Sequence, residues 1–159
     1  MFEEANGPSG VTPEDRAAMQ EMLTRYSTGI DFKQWGLFKR CWTEDAVLTY
    51  GELEQGAGDL SYHGADDITT GVARIHSRIT GSLHRLTNFD VLEYDGRRAT
   101  SRTYGNTVLV AKGTEGGDVF HITGYYHDEL LRTGQVWQIK SRYWGTIWRD
   151  GNAGVLVVD

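Results

Sequence analysis

The residues with the most chemistry to offer are five dispersed histidines, at positions 63, 76, 84, 121 and 127. With a single cysteine, Cys41, they form no H-E-x-x-H or C-x-x-C spacing, so no metal site is expected. The dinucleotide, nucleotide-phosphate and nucleophile-elbow glycine motifs are also absent from the sequence. What remains is acid–base chemistry. A neutral imidazole is the natural base near neutral pH. A buried carboxylate on its other nitrogen fixes the tautomer and stabilises the imidazolium that forms. A phenol nearby donates to a developing oxyanion or a departing hydroxyl. Such a set removes a proton beside a carbonyl or opposite a leaving group, and it needs no metal or organic cofactor.

Position along the chain sorts the candidates. His84 falls early in a strand-like run, and Leu86 and Asn88 alternate with it, so the three share a face. Asn88 is placed to orient a substrate oxygen or to make a strand-end hydrogen bond. Tyr104 and Asn106 share a face with Arg102, and that face lines a cavity or meets solvent. Trp144 belongs to the aromatic run Tyr143-Trp144-Gly145-Thr146-Ile147-Trp148, which is either a subunit contact or a pocket wall. His121 and His127 lie on a strand rich in aromatics and read as structural; His63 and His76 fall in a loop and on a helix. Tyr26 sits on the apolar face of the first helix, where core packing is its plain role. Asp31 follows it by five residues, ~140° around a regular helix, so the two share no tight face unless the helix unwinds near Gly29.

The elements that position these residues are helices first and strands after. Residues 1–11 read as a flexible tail. Thr12-Pro13-Glu14-Asp15 is a helix start: a hydroxyl cap, proline in the first turn, then acids. Met19, Met22, Leu23, Tyr26 and Ile30 give that helix an apolar face, and Gly29 and Asp31 mark its end. A short second helix is predicted over Lys33–Trp42, closed by Thr43-Glu44-Asp45, with a strand over Ala46–Tyr50. Residues 51–65 form a polar, glycine-rich loop that holds a short strand at Leu60–His63. Asp66-Asp67 caps a third helix with the stripe Ile68, Val72, Ile75 and Ile79. Strands follow over Leu83–Tyr94, Ala99–Lys112, Val119–Arg132 and Val136–Ile147, separated by glycine-bearing turns. This order predicts a single α+β domain over residues 12–159, with a mainly antiparallel sheet and three N-terminal helices on one face; a strongly curved sheet with the helices across its open side would enclose a conical pocket.

Composition narrows the partners. The net charge of −6 argues against a nucleic-acid backbone. No apolar run approaches the ~20 residues that cross a bilayer. The N-terminus, MFEEANGPSG, lacks the basic and apolar regions of a secretory signal, and one unpaired cysteine fits a reducing cytoplasm. Five Trp, eight Tyr and five Phe in 159 residues make either an aromatic core or an aromatic-lined cavity for an apolar ligand.

Several segments together resemble the SnoaL-like branch of the nuclear-transport-factor-two-like superfamily. They are Arg25 to Asp31 with Trp35 and Phe38, Trp42 to Leu48, His84-Arg85-Leu86-Thr87-Asn88, Gly124 to Leu130 and Trp137 to Arg142. The resemblance spans residues 14–149 and implies the cone fold. Within that branch the Tyr/Asp/His pattern is similar to that of bile-acid 7α-dehydratase and scytalone dehydratase. Carried over, it implies His84 as base, Asp31 as its orienting partner and Tyr26 as acid or oxyanion donor. Two departures stand out. The strand after His84 offers Tyr104, Asn106 or Thr107 where the bile-acid enzyme has a further Asp, and no histidine lies between Ala99 and Lys112. The expectation is a cofactor-independent lyase or isomerase for a small apolar cyclic substrate of steroid, terpenoid or polyketide type. Asn88, Tyr104, Asn106 and Trp144 are its expected substrate contacts, and a homodimer or homotrimer its expected state. The alternative is a non-catalytic binding protein, such as the small subunit of an aromatic-ring-hydroxylating dioxygenase.

Overall fold

A computed structural model describes residues 10–51 and 58–157. Most of the predicted N-terminal tail, and the centre of the loop after the first strand, lie outside the described residues. Helix α1 runs over Pro13–Asp31, α2 over Trp35–Lys39 and α3 over Ala65–Ile75. The strands are β1 (Trp42–Tyr50), β2 (Leu60–His63), β3 (Gly81–Tyr94), β4 (Arg98–Val110), β5 (Val119–Thr133) and β6 (Val136–Gly151). A short 3₁₀ turn, Ala153–Leu156, follows the last strand.

The six strands form one sheet in the order β2-β1-β6-β5-β4-β3. All neighbours are antiparallel except β1 and β6, which run parallel and make the sheet mixed. Register shifts interrupt β3 between Thr87 and Asp90 and again between Val91 and Glu93, and they interrupt the β5–β6 ladder after Thr123 and Glu129. Each extra residue bends its strand and increases the local twist. The sheet therefore curls into an open cone, and the helices close its mouth.

Helix α1 begins as its sequence dictates: the Thr12 hydroxyl accepts the Asp15 N–H at 3.1 Å, and Pro13 fills the first turn. Its apolar face, from Met19 to Ile30, is buried. Gly29 lets α2 approach, since a Cβ there would meet the Phe38 backbone at 2.9 Å.

Several boundaries differ from the sequence reading, most of all at the ends of two helices. Helix α2 covers only five residues, because Trp42 to Asp45 join β1, where Trp42 is held beside Ile139 of β6. Helix α3 stops at Ile75, so Ile79 is buried from the segment that follows rather than from the helical stripe.

Candidate active site

Asp31 is the last residue of α1, and His84 lies near the start of β3. Helix and strand pack together so that the two side chains meet. His84 Nδ1 lies 2.6 Å from Asp31 Oδ1, and the His84 backbone N–H donates to Asp31 Oδ2 at 2.9 Å. The Ser82 hydroxyl, two residues back on the same face, donates to Oδ1 at 2.8 Å. Burial pushes the Asp31 carboxyl up, but the hydrogen bonds and charge of His84, with the Ser82 hydroxyl, outweigh it and hold the pKa below the usual range. An ionised carboxylate can only accept, so Nδ1 carries a proton, and in the neutral ring Nε2 then presents a lone pair.

That lone pair belongs to a residue shared by two cavities. One is a groove of about 400 Å³ between α1 and β3, walled by Gln20, Thr24, Ser27, Thr87 and Asn88 among others. The second is a chamber of about 50 Å³ inside the cone, walled mainly by apolar groups: Ile75, Leu109, Phe120, Ile122, Trp144 and Leu156. Its polar wall is Tyr50, His76, His84, Thr107 and Tyr126. An apolar lining with a few convergent polar groups is the usual character of a small-molecule site. At about 50 Å³, however, the chamber admits only part of a ligand, and it is the groove of about 400 Å³ that falls in the ordinary range of roughly 300–1,000 Å³.

Beneath this chamber lies a buried charge. Arg142 of β6 and Asp128 of β5 face each other across the ladder and form two hydrogen bonds of 2.7 Å, both side chains fully buried. Burial works against the guanidinium charge, but the Asp128 carboxylate more than offsets it and raises the Arg142 pKa. The guanidinium carbon lies 4.1 Å from the ring centres of both Tyr26 and Tyr126. The Tyr26 hydroxyl stands 3.5 Å from that of Tyr126, and the Tyr50 phenol lies near enough to feel both. Burial pushes the Tyr50 and Tyr126 phenols well above their ordinary pKa, while Arg142 pulls the other way. Both therefore remain protonated donors.

The predicted residues are thus divided. His84 and Asp31 meet. Tyr26 does not join them: α1 stays helical through Asp31, so Tyr26 turns into the core against Phe38 and Trp42 while Asp31 faces β3. It reaches the chamber only through Tyr50 and Tyr126. Asn88 lies at the β3 bulge with φ 54°, so it no longer alternates with His84; it is exposed and borders the groove. Trp144 is a chamber wall and not a surface contact. Its indole lies over Gly105 and Gly124, where a Cβ would come within 2.6 and 2.8 Å of it, and its ring centre is 4.8 Å from that of Tyr126.

Tyr104 and Asn106 are corrected. Strand β4 alternates, and Thr103, Gly105, Thr107 and Leu109 take the inner face. Tyr104 is 44% exposed on the outer face, and Asn106 bonds there with Thr123 and His121. Neither reaches the chamber.

Sequence reasoning passed over Tyr50, His76, Tyr126, Arg142 and Asp128. A signal for His76 was present: it continues the i, i+4 stripe Ile68, Val72 onto the buried face. The described residues hold no group of three or more His, Cys, Asp or Glu side chains placed to bind a metal ion, and no helix among them is long and apolar enough to cross a membrane.

Comparison with known proteins agrees with this architecture. The SnoaL-like domain model matches residues 12–143. The uncharacterized protein Rv2910c of Mycobacterium tuberculosis is 30% identical over 128 residues, 80% of this chain and 82% of its own. Among solved structures, a protein described as an aromatic ring hydroxylase from Novosphingobium aromaticivorans superposes with TM-score 0.79 at 25% identity, over 92% of this chain and 99% of its own. The hexachlorocyclohexane dehydrochlorinase LinA type 2 superposes with TM-score 0.73 at 20% identity, over 91% and 93% of the two chains. Fold, residue pattern and family model coincide over nearly the whole length, and the chain belongs to the SnoaL-like domain family.

Proposed function

We propose that the protein is a cofactor-independent lyase or isomerase of dehydratase type, acting on a small, mostly apolar cyclic substrate. The observation that carries this reading is the 2.6 Å contact between His84 Nδ1 and Asp31, on a residue that walls an apolar chamber. His84 Nε2 takes a proton from a substrate carbon. In a dehydration the C–H electron pair becomes the new double bond and the C–O bond breaks. The imidazolium returns its proton to the departing hydroxide, so water leaves and His84 is restored. In an isomerisation the same proton goes back to another carbon. Asp31 offsets the imidazolium charge during the step.

The Tyr50 and Tyr126 phenols donate to oxygen as negative charge develops. Tyr26 acts behind them, through its hydroxyl contact with Tyr126. Trp144 packs against the substrate ring, and Asn88 contacts whatever part of the ligand extends into the groove. The chain assembles as a homodimer or homotrimer through the outer sheet face, where Tyr104 and Trp148 are exposed; sedimentation at micromolar concentration tests this, and a monomer alone counts against it.

The likeness to a ring-hydroxylase-type protein favours a second reading, a non-catalytic subunit serving a larger partner. Screening cyclic alcohols and their ketone analogues for loss of water or a double-bond shift, with wild type beside His84→Ala, separates the two. The enzyme reading expects turnover that disappears with His84. A subunit binds such compounds without converting them, with or without His84.

A further inference from the structure

His76 caps the C-terminus of α3 and is 5% exposed. Its Nδ1 lies 3.0 Å from the Val72 carbonyl oxygen. A carbonyl only accepts, so Nδ1 bears the proton and Nε2 is an acceptor. No described group hydrogen-bonds to that buried Nε2, although the residue walls the chamber. His84 cannot serve as its partner. The two rings are 6.0 Å apart between centres, and in the neutral ring whose Nδ1–H meets Asp31 the His84 Nε2 is also an acceptor. Two acceptors do not pair, so the His76 Nε2 needs a donor from elsewhere. Burial, with the nearby His84, also pushes the His76 pKa down to about 4, so the ring remains an acceptor at neutral pH.

We infer that His76 Nε2 is a recognition point for a ligand hydroxyl, or another O–H or N–H donor, held beside His84. The inference rests on the proposed reading only in placing the ligand in the chamber. It narrows the substrate class. A hydroxylated ring fits this wall. A halogenated hydrocarbon, having no donor, leaves the His76 acceptor buried and unpaired. A carbonyl at that point meets a lone pair with a lone pair.

The test uses two probes of nearly equal shape, 2-naphthol and 2-methylnaphthalene, titrated into the full chain and followed by isothermal titration calorimetry. Wild type is expected to prefer the naphthol by about tenfold, one good hydrogen bond. His76→Phe should bring the preference close to one, and His76→Gln, which keeps an acceptor, should retain part of it. In wild type the His76 Nε2 nitrogen resonance should move upfield with the naphthol and stay with the hydrocarbon, a readout that needs no variant to fold. Equal binding of the two probes to wild type, or a preference that survives in His76→Phe, overturns the inference and leaves the proposed reaction standing. If neither probe binds wild type, both this inference and the placement of the ligand in the chamber fall.

Discussion

Asp31 holds His84 at two points: one carboxylate oxygen accepts from the ring and the other from the backbone N–H of the same residue. The carboxylate therefore sets the tautomer of the imidazole and also its position along β3. A side chain that keeps the shape of Asp31 but not its two acceptors cannot do both.

Asp31→Asn tests this. If the amide oxygen keeps the His84 backbone N–H, the NH₂ group faces Nδ1, the proton moves to Nε2, and the lone pair toward the chamber is lost. If the amide turns over, NH₂ opposes the backbone N–H donor and the bond fails there. Either way turnover on the true substrate should fall by ~10²–10⁴-fold, as for His84→Ala. Thermal melts run beside the kinetics should show both variants folded. Near-native turnover in His84→Ala would place the base elsewhere.

The phenol cluster makes a graded expectation. Tyr50→Phe and Tyr126→Phe remove hydroxyls at the chamber wall and should lower kcat by ~10-fold or more. Tyr26→Phe removes a hydroxyl one step behind and should have the smaller effect, with a stability loss of ~1 kcal/mol. Steady-state kinetics on the three variants gives the order; a larger loss for Tyr26 than for the other two would put its phenol in contact with substrate.

The ion pair under the chamber concerns stability first. Asp128→Ala leaves the Arg142 guanidinium buried without its counter-charge, and such losses run ~3–5 kcal/mol. The double variant Asp128→Leu with Arg142→Met removes both charges and should recover much of that. Urea unfolding at neutral pH measures the two. If Asp128→Ala unfolds at the wild-type midpoint, solvent reaches Arg142 and the pair contributes little.

The parts of this architecture legible in the sequence are those with a local cause. Thr12 and Pro13 announce α1, and period-two alternation announces β3 to β6. The Asp31–His84 pair was legible only through family resemblance, because 53 residues separate them and no local pattern joins them. The alternation of Asn88 with His84 fails because a bulge, invisible to a period-two count, interrupts β3 after Thr87. Tyr104 and Asn106 illustrate the opposite limit: alternation gave their shared face correctly, but only the packing of the helices decides which face is inside. Arg142 escaped notice because a charged residue on a strand usually meets solvent, and its burial depends on Asp128 standing opposite in a register that sequence alone does not supply.

His76 gives the last prediction, an acid-sensitive stability with a defined window. In the folded chain its pKa is pushed down from 6.5 to about 4 by burial and by the neighbouring His84. Between those two values the unfolded chain binds a proton at this site and the folded chain does not, so stability rises with pH across the window. The contribution is complete above pH ~6.5, declines as the pH falls, and levels off below pH ~4. Its size over the whole window is ~3 kcal/mol, of which ~2 should be lost between pH 7 and pH 5. Asp31 behaves differently. Its pKa is lowered from 3.8, so its contribution is present above that value and is lost only as the pH falls through the depressed folded one, below the His76 window. Urea midpoints measured from pH 7.5 to pH 4 on wild type and on His76→Phe isolate the effect, since the other histidines are common to both. Wild type should weaken progressively through this range, and the variant should show a flatter profile. Parallel profiles for the two proteins would mean that His76 takes up its proton in the folded state, and that water or a rotated ring reaches its Nε2.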